Sequence, residues 1–370
     1  RLADRMAGAM SIIIPLAAAV AALVAVASGA SASEALLRAL STLVIACPCA
    51  LGIATPIAFI TAASRAAREG LLVRDPAAFE LLGVARTIVF DKTGTLTAGR
   101  PSVASIEPEV GWSEETVIGI AAEAEHGIEH PIARAIVAAA GEPHTSGGGT
   151  RDGRRAWAMD NHGREIVVQA DDGGVSDTAT RLRVSIDGRT IGRIALADRE
   201  RPEAAAAIEA LRSRGLNVLL ATGDASGPAR HLARTIGIRA DEIFAHCSPE
   251  RKLELVRRSV GPVVFVGDGI NDGPALAASD CGITMAEAHA GATALASIAI
   301  SRAGVEAVVV AIDLARNTRL VMRQNLVFAV VYNMLALTAA GTGTVPPVLA
   351  AFVMLLSSAT VLINSFRVKS

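Results

Sequence analysis

The sequence predicts an α/β fold: a doubly wound parallel sheet, interrupted by an inserted α+β domain and attached to four transmembrane helices. Three short apolar runs, each leading into a Gly-containing polar loop, predict parallel strands whose carboxyl ends share one edge of the sheet. Helical stretches separate or follow these runs, which is the alternation of a doubly wound sheet. The apolar runs span 86–91, 217–221 and 263–266, and the helical stretches span 202–214, 228–236 and 249–259.

Between the first run and the second, the pattern changes over residues 98–196. An Ala-rich helical region at 113–140 is followed by Gly-rich turns and short strands, and we interpret this part as an α+β domain inserted after the first strand. The predicted domain limits are 76–97 with 197–318 for the parallel-sheet domain, and 1–75 and 319–370 for the membrane segments.

Stretches without Asp, Glu, Lys or Arg place the membrane helices. They span 6–33, 39–64 and 324–366. Each of the first two predicts one helix of membrane-spanning length, and glycines and prolines at 341–347 divide the third into two. The four helices are expected at about 8–30, 39–63, 324–343 and 346–366.

Composition and charge are those of an integral membrane protein. Mean hydropathy is +0.44, and only 19 % of the residues are charged. Arg and Lys residues flank the predicted helices on the side of the large polar region. The positive-inside rule therefore predicts a multi-pass protein of the cell membrane with a cytoplasmic polar region. The net charge of −1 gives no reason to expect a nucleic-acid partner, and four cysteines make no disulfide framework.

Asp91 ends the first strand and begins the heptad Asp-Lys-Thr-Gly-Thr-Leu-Thr. A carboxylate at this edge of a sheet can attack phosphorus and form an acyl phosphate. Two places on, Thr93 stands where a second carboxylate would act as a general acid and then activate water. Because threonine cannot do this, we expect the phosphoaspartate to persist, which suits a protein that changes shape between phosphorylation and hydrolysis.

The other loops at this edge offer groups that position and neutralise a phosphoryl group, which is most of phosphoryl-transfer catalysis. Thr222 and the Gly223 amide can bind that group. Lys252 can neutralise its charge, and Asn271 can hydrogen-bond to it.

Oxygen ligands for Mg²⁺ are expected from the same loops. Asp268 and Asp272 supply carboxylates, which Mg²⁺ prefers together with phosphate oxygens. Asp91 and the carbonyl of Thr93 complete the predicted ligand set.

Segments 91–97, 222–224 and 267–276 resemble the signature motifs of P-type cation-transporting ATPases, which belong to the haloacid dehalogenase superfamily. Segment 198–202 resembles the return from the inserted domain in that family. The resemblance implies a haloacid-dehalogenase-like phosphorylation domain with Asp224 among its catalytic residues. It also implies that the inserted domain binds nucleotide, with ATP and Mg²⁺ as cofactors.

In the inserted domain, Glu125, Glu129 and His130 are similar to the adenine-site motif of the heavy-metal subclass. In that motif the His lies near the base and the Glu near its amino group. Gly147 and Gly149 resemble its glycine pair, where bare backbone lets the nucleotide approach. By itself, a His followed by Pro is also typical of a helix N-terminus.

The second membrane helix contains Cys47-Pro48-Cys49. Proline removes one backbone hydrogen bond and should kink the helix, turning both sulfurs towards one cavity. Polar groups at membrane depth are costly enough to suggest a function. Two thiolates favour soft ions, Cu(I) first and Zn²⁺ next.

Residues of the last two spans narrow the choice of ion. Tyr332, Asn333, Met354 and Ser357 resemble the signature of the copper(I)/silver(I) branch, although Thr338 stands where that branch usually has proline. A Met thioether prefers Cu(I) or Ag(I) to Zn²⁺. The resemblance implies ATP-driven export of Cu(I) or Ag(I), with a copper-donating chaperone as a partner.

P-type pumps also use an actuator domain with a Thr-Gly-Glu loop, and no Thr-Gly-Glu occurs in this sequence. The resemblance implies that this domain and earlier helices lie upstream of Arg1. We therefore expect these residues to bind ATP and to phosphorylate Asp91, but to hydrolyse the phosphoenzyme poorly and not to pump. Two alternatives remain open at this point: a membrane-tethered phosphohydrolase, and a non-catalytic metal-binding protein derived from a pump.

Overall fold

The structure is a computed structural model that describes residues 2–45, 49–141, 149–152, 155–171, 180–224, 226–268, 270–286, 290–301, 304–341 and 345–368. The chain divides into two compact units. One consists of Arg1–Gly83 with Val310–Ser370, and the other of Val84–Val309.

Helices and strands alternate along most of the described chain. The helices are α1 (Leu2–Ala27), α2 (Ala32–Ile45), α3 (Cys49–Arg68), α4 (Pro76–Leu82), α5 (Glu114–Glu125), α6 (Pro131–Ala140), α7 (Ala204–Ser213), α8 (Ser226–Ile236), α9 (Pro249–Arg258), α10 (Gly273–Ala278), α11 (Ala290–Leu295), α12 (Glu306–Gly341) and α13 (Pro347–Ser365). The strands are β1 (Leu71–Val73), β2 (Thr87–Asp91), β3 (Thr97–Pro108), β4 (Thr150–Asp152), β5 (Arg155–Met159), β6 (Glu165–Ala170), β7 (Thr180–Ile186), β8 (Arg189–Glu200), β9 (Asn217–Ala221), β10 (Ile243–Phe244), β11 (Val263–Gly267), β12 (Cys281–Thr284) and β13 (Ile298–Ile300).

The second unit contains the predicted doubly wound sheet. Its strands lie in the order β13-β12-β11-β2-β9-β10, and neighbours are parallel. All five residues of β2 are buried, as expected for a central strand covered on both faces. The three predicted strands are adjacent as β11-β2-β9, so their carboxyl ends lie at one edge. The α/β phosphorylation-domain fold is confirmed.

The inserted α+β domain is also confirmed. Its strands form an antiparallel sheet in the order β3-β8-β7-β6-β5-β4, and α5 and α6 share one apolar core with this sheet. The helical region expected at 113–140 is two helices. Ser113 caps α5 by accepting a hydrogen bond from the Thr116 amide at 3.2 Å, and Pro131 occupies the first turn of α6. A short non-helical segment, 126–130, separates them, because proline fits a helix start but interrupts a helix interior.

Two helices among the described residues are long and apolar enough to cross a membrane: Glu306–Ala340 and Pro347–Ser365. The expected total of four spans stays a prediction. The helix expected at 324–343 is the carboxyl-terminal part of the longer α12. Helix α12 begins before residue 324 because arginines are good helix formers. They limit the apolar stretch but do not end the helix.

The residues expected to form one helix at 39–63 are helical in α2, up to Ile45, and in α3, from Cys49. The kink expected at Pro48 stays a prediction. Residues 46–48 lie outside the described residues.

A buried polar contact joins α12 to α13. The amide of Asn325 donates to Ser365 Oγ at 2.8 Å, and Asn325 Oδ1 accepts from Asn364 Nδ2 at 2.9 Å. Asn325 is fully buried. Hydrogen bonds between apolar helices fix their register at modest energy.

Replacing Asn325 by Leu should lower the free energy of unfolding by about 1 kcal/mol, since the contact to both partners is lost. Thermal unfolding of the chain in detergent measures this. T338V is the matched control, because the Thr338 hydroxyl donates only within its own helix, to the Met334 carbonyl at 2.8 Å. An N325L variant with an unchanged midpoint would contradict the prediction.

Candidate active site

Asp91 is the last residue of β2 and lies beside Ala221 of β9. The turn that follows, Lys92–Leu96, bends the chain away from the sheet edge. Gly94 in this turn has φ +73°, and a Cβ there would overlap the carboxylate of Asp268. Glycine is therefore required both for the backbone conformation and for the approach of the turn to Asp268.

Lys252 contacts two carboxylates at this edge. Its Nζ donates to Asp91 Oδ1 at 2.6 Å and to Asp272 Oδ1 at 2.7 Å. The start of α9 holds the lysine in place, because the Ser248 hydroxyl accepts from the Arg251 amide at 3.3 Å and Pro249 begins the helix. All three charged side chains are nearly buried.

Asp268 follows β11 and completes a group of three acids. Carboxylate oxygens of Asp91, Asp268 and Asp272 lie within 4.8 Å of one another. Crowded hard oxygens with a single ammonium among them fit a divalent cation such as Mg²⁺. The structure thus brings together Asp91, Lys252, Asp268 and Asp272, whose roles stay predictions.

The electrostatics of this edge follow from burial and like charge. Burial raises the pKa of Asp91 to about 7, the Lys252 ammonium opposes this, and the carboxylates of Asp272 and Asp268 add to it. Burial works to lower the pKa of Lys252, but the carboxylates of Asp91 and Asp272 outweigh it and raise that pKa. The lysine is therefore protonated, while burial and the neighbouring carboxylates disfavour the ionised form of Asp91.

The loop after β9 lies next to Asp91 because β2 and β9 are neighbours. Thr222 is buried, and its Oγ1 accepts from the Asp224 amide at 3.1 Å. Gly223 is exposed at the edge. Asp224 forms an ion pair with Lys92, which joins this loop to the turn after Asp91.

Thr93 and Asn271 are both exposed at this edge. Thr93 has extended rather than helical backbone angles within its turn, and it lines the neighbouring cleft. Asn271 lies in a short helical turn, Ile270–Asp272, directly after the β11 loop. Both positions are open to a ligand.

Arg201 is a residue at this site to which the sequence analysis assigned no role. Its Nε donates to the Thr95 carbonyl at 3.0 Å and its Nη2 to the Gly94 carbonyl at 3.2 Å. Nearby, the Thr97 hydroxyl donates to Asp198 Oδ2 at 2.5 Å. The acceptor Asp198 and the guanidinium of Arg201 both belong to segment 198–202. This segment therefore fixes the turn that follows Asp91. The Arg201-Pro202 pair directly after β8 was the sequence feature that could have indicated this role.

A cleft of about 310 Å³ lies between the inserted domain and the parallel sheet. Lys92, Thr93 and Asp224 line it on the side of Asp91, and His130 lines it on the other. His130 also caps α6, because its Nδ1 accepts from the Ile132 amide at 3.2 Å. His130 therefore begins a helix and also faces the cleft, and its expected place near the base stays a prediction.

The other residues predicted to bind nucleotide differ in their burial and contacts. Glu125 is buried, and its two oxygens accept from Arg151 Nη1 at 2.8 and 3.0 Å. Glu129 is exposed. Gly149 approaches the end of α5 so closely that a Cβ would overlap the Ala124 carbonyl oxygen. Gly147 lies outside the described residues. Arg151 was not predicted, since its partner is 26 positions away on another element.

Two apolar clusters join helices of the first unit. One cluster contains Ala54, Ala329 and Val361, and the other contains Ile45, Ala340 and Ala350. Each cluster joins α12 and α13 to one helix flanking the Cys-Pro-Cys segment.

Along the sequence, all predicted ion ligands fall between those two clusters. Tyr332 and Asn333 come between the cluster residues of α12, and Met354 and Ser357 between those of α13. Ser357 is buried, and among the described residues its hydroxyl has no hydrogen-bond partner. Cys47 lies outside the described residues, and of Cys49 only the backbone is described.

Comparisons with known proteins agree with this geometry. The profile of the haloacid dehalogenase-like hydrolase family matches residues 85–280. The "Cation-transporting P-type ATPase B" of Mycobacterium leprae is 37 % identical over 392 residues, covering 100 % of this chain and 52 % of that protein. The "Copper-exporting P-type ATPase" of the same organism is also 37 % identical, covering 100 % of this chain and 50 % of that protein. The chain thus spans about half the length of these curated relatives.

A solved structure is similar over the whole chain. The crystal structure of a zinc-transporting PIB-type ATPase in the E2.Pi state superposes with a TM-score of 0.81 at 32 % identity, covering 100 % of this chain and 64 % of that one.

Replacing Asp91 by Asn should stabilise the metal-free protein at neutral pH by about 1–3 kcal/mol. The folded-state pKa of Asp91 is raised from 3.8 to about 7, so its ionisation penalises the folded state as pH rises through this interval and fully above it. Denaturant unfolding in a chelator at two pH values measures the effect. The gain should vanish near pH 4, and a D91N variant that is less stable at neutral pH would contradict it.

Proposed function

The chain belongs to the haloacid dehalogenase-like hydrolases and, over its whole length, is a homologue of heavy-metal P-type ATPases; on that premise we propose that it couples phosphorylation of Asp91 by ATP to export of a soft metal ion. The observation that carries this proposal is the contact of Lys252 with Asp91 and Asp272 at 2.6 and 2.7 Å. That contact gathers a nucleophile, a fixed cation and a group of acids at one sheet edge.

In the proposed reaction, an Asp91 carboxylate oxygen attacks the γ-phosphorus of ATP. The bond from that phosphorus to the β–γ bridging oxygen breaks, ADP leaves, and an acyl phosphate remains on Asp91. Lys252 offsets the charge on the transferred group, and Thr222 with the Gly223 amide holds its oxygens. No proton has to move in this step, which agrees with the lack of a carboxylate at position 93.

Asp91, Asp268 and Asp272, with the Thr93 carbonyl, would hold Mg²⁺, which supplies charge neutralisation to the phosphates when bound. The support is the close grouping of the three carboxylates. Lys252 alone leaves this group with excess negative charge.

The cleft provides the place for the nucleotide. His130 faces it from the inserted domain, while Lys92 and Asp224 face it beside Asp91. We propose that the base lies towards His130 and that the phosphates extend towards Asp91. Residues of both domains thereby contact one ligand, so binding favours a closed cleft.

For the transported ion we propose Cu(I), with Ag(I) as the closest substitute. The support is the donor set of Cys47, Cys49 and Met354, which suits soft monovalent ions, together with the placement of the α12 and α13 residues between the same two apolar clusters. One similar protein is named as copper-exporting, and one similar structure is named as zinc-transporting. Zn²⁺ is therefore the ion against which Cu(I) has to be compared. A copper-donating chaperone and an actuator domain that assists hydrolysis are the proposed partners.

Incubation of the chain with γ-labelled ATP and Mg²⁺ should give an acid-stable, hydroxylamine-sensitive label, because an acyl phosphate forms. D91N should abolish it, and K252M should reduce its rate by about a hundredfold or more, as expected for loss of one charge-stabilising group. A label that survives in D91N would refute the assignment of the nucleophile.

The T93D variant extends this experiment. A carboxylate at position 93 supplies the missing general acid and base, so its phosphoenzyme should decay faster than that of the wild type. An equal decay rate would show that Thr93 does not account for the persistence.

Cu(I) should bind the chain more tightly than Zn²⁺, and the C47S and C49S variants should lose this binding, since each removes one thiolate. Competition with a chromophoric Cu(I) chelator measures the affinity. C247S is the matched control, because Cys247 is a buried free cysteine of the phosphorylation domain. Equal loss in C247S, or tighter binding of Zn²⁺, would overturn the proposed ion site.

A further inference from the structure

Two buried hydroxyl groups of the phosphorylation domain have no hydrogen-bond partner among the described residues, those of Thr95 and Thr284. Both residues are 0 % exposed. Burying a hydroxyl without a partner is unfavourable, so such a group indicates that a ligand or an ordered water meets it. Thr95 lies in the turn that Arg201 already fixes, whereas Thr284 ends a strand of the parallel sheet.

Thr284 lies at the catalytic edge. It is the last residue of β12 and the Cα partner of Gly267, the last residue of β11. Asp268 follows Gly267 directly. Neighbouring strands lie about 4.8 Å apart, so Thr284 is one strand spacing away from the residue that precedes Asp268.

The side chain of Thr284 lies on the same face of the sheet as the carboxylate of Asp272. A Cβ on Gly267 would come within 2.5 Å of Asp272 Oδ2, so the carboxylate covers this face at Gly267. Register partners in neighbouring strands place their side chains on one face, which puts Thr284 there as well. Gly282, two residues earlier on the same face, agrees with this, because a Cβ there would come within 2.6 Å of the Leu276 carbonyl in α10.

The two oxygens of Asp272 differ in their surroundings. Oδ1 accepts from Lys252 Nζ at 2.7 Å, whereas Oδ2 is the oxygen that lies against Gly267, on the side of β12. The Thr284 hydroxyl makes no hydrogen bond to it. One strand spacing is close to the span of two hydrogen bonds through one water, about 5 Å. The hydroxyl is therefore placed to reach this carboxylate group through a water molecule.

We propose that Thr284 is a positioning residue of the Mg²⁺ site, whose hydroxyl accepts a hydrogen bond from a water molecule that the ion holds beside Asp272. The proposal rests on the proposed Mg²⁺ site of Asp91, Asp268 and Asp272 and adds a residue to it. Mg²⁺ loses its waters reluctantly and keeps several of them in proteins. A water bound to a cation can only donate hydrogen bonds, and groups that accept from it contribute to the affinity for the ion.

The test measures Mg²⁺ affinity without nucleotide, from the rise of the unfolding midpoint of the full chain in detergent as Mg²⁺ is added. T284V should weaken the affinity about tenfold, while T284S, which keeps the hydroxyl, should bind like the wild type. In a chelator T284V should unfold at the same temperature as the wild type or higher, because it removes an unpaired buried hydroxyl. Wild-type affinity in T284V, or a T284S variant as weak as T284V, would overturn the proposal.

T87V is the matched control. Thr87 is also buried in this sheet, but it begins β2 at the opposite edge, and its hydroxyl donates to the Val260 carbonyl at 3.2 Å. T87V should lower the unfolding midpoint in a chelator and leave the Mg²⁺ affinity unchanged. If T284V shows this same pattern, its hydroxyl serves the stability of the sheet and the proposal is wrong.

D268N separates a failure of this proposal from a failure of the Mg²⁺ site itself. Loss of Mg²⁺ binding in D268N together with full binding in T284V would refute only the role of Thr284. A wild type that binds no Mg²⁺, or a D268N variant that binds it fully, would refute the proposed site and the role of Thr284 together.

Discussion

The ammonium of Lys252 lies between two buried carboxylates, and the arrangement of the catalytic edge depends on that contact. Asp91, Asp268 and Asp272 bring three acids into one small volume, where unpaired charges are strongly unfavourable. Burial raises the pKa of Asp91, and the single lysine offsets only part of this effect and of the repulsion from the other two acids. The carboxylates of Asp91 and Asp272 in turn raise the pKa of Lys252. The proposed divalent cation would relieve the remaining repulsion among these acids.

The sequence predicted the parallel sheet well because its strands are short apolar runs bounded by polar loops. The strand expected at 217–221 is β9, Asn217–Ala221, and the strand ending at Asp91 differs by one residue at its start. Since parallel strands end at a common edge, adjacent strands were enough to bring Asp91 and Thr222 together. Lys252 reached the same edge from a helix whose first turn is fixed by Ser248 and Pro249.

Contacts between distant elements could not be predicted in this way. The Glu125–Arg151 pair joins a helix end to a strand, and no periodic pattern marks such a pairing. Arg201 donates hydrogen bonds to two backbone carbonyls. A contact from a side chain to distant backbone leaves no pattern in the sequence. The early start of α12 was missed because charged residues limit an apolar stretch but are good helix formers.

The placement of Arg201 has a mechanical consequence. Strand β3 begins at Thr97, directly after the turn that follows Asp91, and β8 ends at Glu200, directly before Arg201. The chain therefore enters and leaves the inserted domain at the same few residues, and Arg201 ties the exit to the entrance through Gly94 and Thr95. A movement of the inserted domain about this junction would leave Asp91 nearly in place, because Arg201 holds the turn that follows Asp91.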